Sequence, residues 1–166
     1  MFAQPKSDHY WGEYIKNVWD SLSKADRIGE NDFKMPPFYH VSPEMRKYFA
    51  RVYNSIKLTD NKIGDLLYRL DKNGLRDNTI ILFYSDQGEG IPRGKTNGIN
   101  FGHRVPFVIG FPQKYKNLSP WGTSGTVSGE LGDFEDLAPT ILSLAGAKMP
   151  DYLKGHLELS SDRAHN

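Results

Sequence analysis

The chain has 166 residues, enough for one domain with a real core, of which 38% are hydrophobic and 25% charged, with a net charge of +1. That balance gives no reason to expect nucleic acid or an anionic membrane as a partner, and no apolar run approaches the ~18 residues of a membrane span. Cysteine is absent, which excludes disulfides, thiolate catalysis and Cys-ligated zinc.

Residues 1–41 are the least regular part. Tyr10, Tyr14 and Val18 recur at helical spacing, with Trp11, Ile15 and Trp19 one step over, which predicts a short amphipathic helix. Two tryptophans on one short helix fit either a sugar-stacking surface or packing. Met35-Pro36-Pro37-Phe38 then breaks any helix and reads as an extended connector.

A long helix follows. Ser42 suits the N-cap and Pro43 the first helical position, where a missing N–H costs nothing. Met45, Phe49, Val52, Ile56, Ile63, Leu66, Leu67 and Leu70 form one stripe, and Asn73-Gly74 supplies the left-handed stop. At 1.5 Å per residue such a helix is roughly 45 Å long. Leu75 is placed to close over its end, before Asp77-Asn78 turn the chain into a strand.

Thr79 to Tyr84 is a short apolar run, β-branched and aromatic, of the length a buried parallel strand needs. Ser85-Asp86-Gln87-Gly88 follows directly. In open α/β sheets ligands collect beyond the carboxyl ends of strands, so a carboxylate and an amide oxygen there can serve as metal ligands. Asp before Gly is also ordinary turn chemistry. Residues 88–102 form a glycine-rich loop carrying Arg93 and Lys95, two cations able to meet an anion.

Val105 to Phe111 reads as a second strand, stopped by Pro112, with Pro106 tolerable near its start. Residues 114–132 are a polar loop of the length that signals function or mobility. Leu137, Ile141, Leu142, Leu144 and Ala145 fit an amphipathic helix with Asp136 as N-cap, Pro139 in its first turn and Gly146 as its stop. Helix, strand, strand, helix implies an α/β fold with a parallel or mixed sheet.

Taken together, these segments resemble the sulfatases of the alkaline-phosphatase-like superfamily, from about Pro36 to Gly155, the heparan N-sulfatase-like branch being nearest by eye. Four stretches carry the likeness: Leu70-Asp71-Lys72-Asn73-Gly74-Leu75-Arg76-Asp77-Asn78-Thr79 with its strand, Ser85-Asp86-Gln87-Gly88, Arg93-Gly94-Lys95 with Gly102-His103-Arg104-Val105-Pro106, and Asp136-Leu137-Ala138-Pro139-Thr140-Ile141-Leu142 with Leu144-Ala145-Gly146. The resemblance implies the later half of a sulfatase α/β domain over residues 42–155, with a mixed, mostly parallel sheet flanked by helices, preceded by the irregular 1–41 and followed by a tail at 156–166.

It also implies roles. Asp86 and Gln87 would ligate a calcium-like divalent cation, Gln87 standing where the family has Asn or His and being one methylene longer than Asn. Lys95 would reach the sulfate, the alternative being a solvated lysine. His103 would touch substrate or support such a contact, or simply lie on the surface. Arg104 would prop the site or pack at the strand start, and His9 stands as a loose match to the family's sulfate-binding histidine.

One departure is decisive for activity. The family attacks sulfur with a formylglycine made from a Cys or Ser in a Cys/Ser-X-Pro/Ala-X-Arg motif, and the chain has no cysteine to supply one. Ser42-Pro43-Glu44-Met45-Arg46 has its proline one position early. The family's Asp-Asp metal pair is missing too. The expectation is therefore an internal fragment, inactive alone, weak in metal binding and prone to aggregate through uncovered sheet edges, with nucleophile and formylglycine in an upstream part.

The intact enzyme would hydrolyse sulfate esters or sulfamates of sugars. Two alternatives stand beside it, a phosphoesterase of the same superfamily and a non-catalytic sulfatase-like binding module. Sulfated small molecules or sugars are the expected partners, without nucleic acid or a membrane span. The family is usually periplasmic, extracellular or lysosomal. Residues 1–6 carry no apolar signal core, and the compartment is not read from them.

Overall fold

The computed structural model describes residues 7–153 apart from 89, 92, 93, 96, 97, 123 and 131, and side chains from residue 12 onward apart from Phe101. The tail at 156–166, Arg93, and the side chains of His9, Tyr10 and Trp11 lie outside the described residues. The chain divides into two compact units, Met1–Asn73 and Gly74–Asn166.

The first unit is two helices and the segment that joins them. Helix α1 runs Ser7–Ser21 and helix α2 Pro43–Lys72. Both α2 boundaries follow from local chemistry. The Ser42 hydroxyl accepts the Met45 N–H at 3.2 Å, Pro43 opens the first turn, and Asn73 donates to the Arg69 carbonyl from both its backbone and its side chain. Gly74 then takes φ +65°, a conformation that only glycine adopts without strain. Glu44, in the first turn, has its carboxyl held below the ordinary range by its own backbone N–H and then by the Ser42 hydroxyl.

Burial in this unit is concentrated on the first half of α2. Phe49 and Ala50 are buried there, with Val18, Leu22 and Tyr39 from the preceding chain. Rings stack around Phe49: Tyr39 at 4.9 Å, and Tyr53 at 5.9 Å with Phe33 beyond it at 4.8 Å. Farther along the predicted stripe, Ile56 and Leu66 are exposed. The stripe predicted by periodicity is therefore packed only in part.

The joining segment is held by side chains of α2. Asn54, 3% exposed, accepts the Ile28 N–H at 2.9 Å and donates to the carbonyls of Ile28 and Ala50 at 2.8 and 2.7 Å. Arg46 donates to the carbonyls of Glu30 and Phe33. Trp19 is covered by Arg27, whose guanidinium lies 5.0 Å from the ring centroid while its Nε donates to the Trp19 carbonyl. The ring nevertheless stays 43% exposed.

In the second unit, a 3₁₀ turn at Arg76–Asn78 leads into strand β1, Ile81–Tyr84, which pairs with strand β2, Phe107–Gly110. Leu75 is exposed. The ladder is antiparallel, with Ile81 opposite Gly110 and Tyr84 opposite Phe107. The described part of the expected mixed, mostly parallel sheet is thus this one antiparallel pair. Parallel pairing needs a crossover, usually a full helix, whereas between these strands the described chain has only the four-residue helix α3, Asn100–His103.

Both strands are shorter than predicted. Thr79 is spent on the turn, its hydroxyl donating to the Leu75 carbonyl, and Val105-Pro106 lie outside the ladder. After β2 a pair of 3₁₀ turns at Gln113–Leu118 returns to the entry turn, where the Asn78 side-chain oxygen accepts from Lys114 Nζ at 2.7 Å and the Tyr115 hydroxyl at 2.6 Å.

Helix α4 spans Leu137–Leu144, with Gly146 at φ +65° beyond it. Asp136 holds the predicted N-cap position but not the predicted bond. Asp136 is buried in helical conformation with no capping bond, while Asp133 caps a preceding 3₁₀ turn by accepting the Glu135 N–H at 3.1 Å. The helical path starts one turn early, which places Pro139 and Thr140 inward.

Candidate functional site

The carboxyl end of β1 opens into the turn that the sequence singled out. Three bonds shape it. The Ser85 hydroxyl donates to the Gln87 carbonyl at 2.8 Å, the Gly88 N–H donates to the Gly102 carbonyl at 2.9 Å, and the Ser85 N–H reaches the Pro106 carbonyl at 3.4 Å. Gly102 is buried. The turn is thus strapped to the segment that enters β2.

Asp86 is exposed and Gln87 half-buried, and the Gln87 side-chain nitrogen lies 3.4 Å from Asp86 Oδ2, so the two side-chain ends sit together. The Gly88–Gly102 bond brings the neighbourhood of His103 beside them. His103 is exposed, with Nε2 3.9 Å from where a side chain on Gly98 would begin. Lys95 is exposed on the same loop, just after Gly94, whose N–H closes a turn onto the Ile91 carbonyl at 2.9 Å. Ile91, 7% exposed, and buried Gly94 anchor that loop. The structure shows no direct contact between Lys95 and the Asp86–Gln87 pair. Arg104 is exposed, its backbone N–H closing α3 onto the Asn100 carbonyl.

The donor chemistry of Asp86 and Gln87 fits a hard, oxygen-liganded cation as part of its shell. Calcium takes six to eight oxygens, and among the described residues no group of three or more acidic or histidine side chains gathers around one point. Sequence reasoning overlooked Ser85 and the Gly102 carbonyl, the groups that shape the turn. The available signal was a hydroxyl directly before the acid and a glycine at each end of the 88–102 loop.

Comparison with known proteins places this geometry in context. The Sulfatase family model matches residues 5–147. The chain is 34% identical over 93% of its length to an ulvan-active sulfatase of Formosa agariphila, covering 26% of that protein. It is 30% identical over 85% to the N-acetylglucosamine-6-O-sulfatase of Bacteroides thetaiotaomicron, covering 25%, and 31% identical over 73% to the human N-sulphoglucosamine sulphohydrolase, covering 23%. The chain spans about a quarter of the length of these curated relatives. With a family match across nearly its whole described length, the chain belongs to the sulfatase family.

Proposed function

We propose that this chain carries the metal-turn and basic-loop portion of a sulfatase that hydrolyses sulfate esters or sulfamates on sugars. The observation that carries the reading is the Asp86–Gln87 pair at the end of β1, strapped through Gly88 and Gly102 to the loop that holds Lys95 and His103. Names of the relatives support the sugar: N-acetylglucosamine, N-sulphoglucosamine and ulvan. No helix among the described residues is long and apolar enough to cross a membrane.

In this reading Asp86 and Gln87 offer oxygens to a divalent cation, which when bound supplies positive charge beside the sulfate. Lys95 adds a movable ammonium on an exposed loop, suited to the negative charge that grows on the sulfate oxygens as the ester bond breaks. His103 borders the same turn and offers ring nitrogens to a sugar hydroxyl. The nucleophile comes from outside this sequence: cysteine is absent, and the one Ser-X-Ala-X-Arg string, Ser23-Lys24-Ala25-Asp26-Arg27, spends its serine hydroxyl on Asp26 and its arginine on Trp19. The 166 residues alone therefore turn over no substrate.

The test extends the reading frame through any coding sequence continuous with Met1 and measures sulfate release from a sulfated N-acetylglucosamine. Release by the extended protein and none by the 166-residue chain is the expected result. Lys95→Ala in the extended protein should cost about a hundredfold in kcat, the usual scale for one lost charge-stabilising donor. Preference for phosphate monoesters would move the protein to the phosphoesterases. Sugar binding with neither activity would make it a binding module, the reading that Gln87 in place of the family's Asn or His favours.

A further inference from the structure

Ser85 is the residue of the turn to which the proposed chemistry assigns nothing. It is half-buried, directly precedes the candidate ligand Asp86, and spends its hydroxyl on the backbone carbonyl of Gln87 at 2.8 Å. That bond bridges Asp86, closing a small ring of main chain around it. A second bond, Gly88 N–H to the Gly102 carbonyl, fixes the far end of the same turn. With both ends held, the peptides that carry the Asp86 and Gln87 side chains have little freedom to rotate. In the structure the two side-chain ends lie side by side, the Gln87 amide nitrogen donating to Asp86 Oδ2 at 3.4 Å.

We infer that Ser85 is a positioning residue for cation binding: its hydroxyl presets the Asp86–Gln87 pair without itself touching the ion. The inference rests on the metal reading of Asp86 and Gln87. Its physical basis is the cost of ordering ligands. A free turn must give up backbone and side-chain freedom when a cation binds, and a pre-bridged one has already done so. Groups that orient metal ligands typically contribute 10–100-fold to affinity.

Terbium titration of the protein extended upstream through any coding sequence continuous with Met1 tests this. The ion takes the same hard oxygen donors as calcium, and Tyr84, next to the turn, is a sensitiser for its luminescence. Ser85→Ala should weaken terbium binding about tenfold, and Ser85→Thr, which keeps the hydroxyl, should restore it. Exchange of the Gly88 amide proton, read by NMR, should stay slow in Ser85→Ala if the strap to Gly102 persists, separating a loosened ligand pair from a lost fold. Unchanged affinity in Ser85→Ala, or failure of Ser85→Thr to rescue, overturns the positioning role. Asp86→Asn distinguishes the two levels. If it abolishes binding while Ser85→Ala does not weaken it, only the role of Ser85 fails; if Asp86→Asn changes nothing, or the unsubstituted protein binds no terbium, the metal reading fails and the positioning role with it.

Discussion

Asp26 shows how one carboxylate can organise a segment that lacks regular structure. Ser23 donates to it at 2.8 Å, Asn61 of α2 donates at 3.3 Å, and Lys57 stands 3.7 Å away. The Ser23 hydroxyl, then Asn61 and Lys57, hold the carboxyl below its ordinary value of 3.8 despite an opposing desolvation effect. A depressed folded-state value means stability that is fully present above 3.8 and is lost as pH falls through the lower folded value. The thermal-stability advantage of the native chain over Asp26→Asn should therefore hold at neutral pH and shrink as pH falls through the lowered folded value. An advantage that ignores pH would show that the carboxylate's charge contributes nothing there. Sequence gave no warning of this residue, nor of Asn54. Both look like ordinary polar positions until the segment at 23–41 folds back on α2, and that contact is between residues far apart in sequence.

At the level of elements, legibility tracks the range of the forces involved. The ends of α2 were readable to the residue because caps depend on neighbours within one turn: Ser42 on Met45, Asn73 on Arg69, Gly74 on its own backbone. Ser42→Ala should cost about 1 kcal/mol in urea unfolding, the usual loss for a serine cap, and Ser42→Asp should keep most of it. Strand pairing was not readable in that way. The apolar run at 79–84 suits a parallel or an antiparallel neighbour equally, and the choice is made by what the chain does between the strands. The capping bond of α4 was misplaced for a related reason. Asp133 and Asp136 are both suitable caps, and only the 3₁₀ turn between them decides which is used. At the candidate site the residue types were legible and their mutual placement was not. The Gly88–Gly102 bond spans a loop whose path no local pattern specifies.

On the scale of the whole molecule, apolar burial is uneven. Among the described residues, five of the six buried apolar side chains, Val18, Leu22, Tyr39, Phe49 and Ala50, belong to the first unit, and the second contributes Ile91. Val108 and Ile141 are exposed, and Tyr84 and Phe134, whose rings lie 5.5 Å apart, are each more than two-fifths exposed. The four-residue ladder thus joins distant segments with little apolar reward nearby. Its first pair, Tyr84 with Phe107, requires the whole intervening loop to close, an entropic debt settled before any ladder bond forms. Helix α2 faces no such delay, since each of its bonds spans a single turn. Refolding should therefore be staged, with amides of α2 acquiring protection from exchange before those of Phe83 and Val108. Pulse-labelling that finds all of them protected together would show that the hairpin and the helix form in one cooperative step.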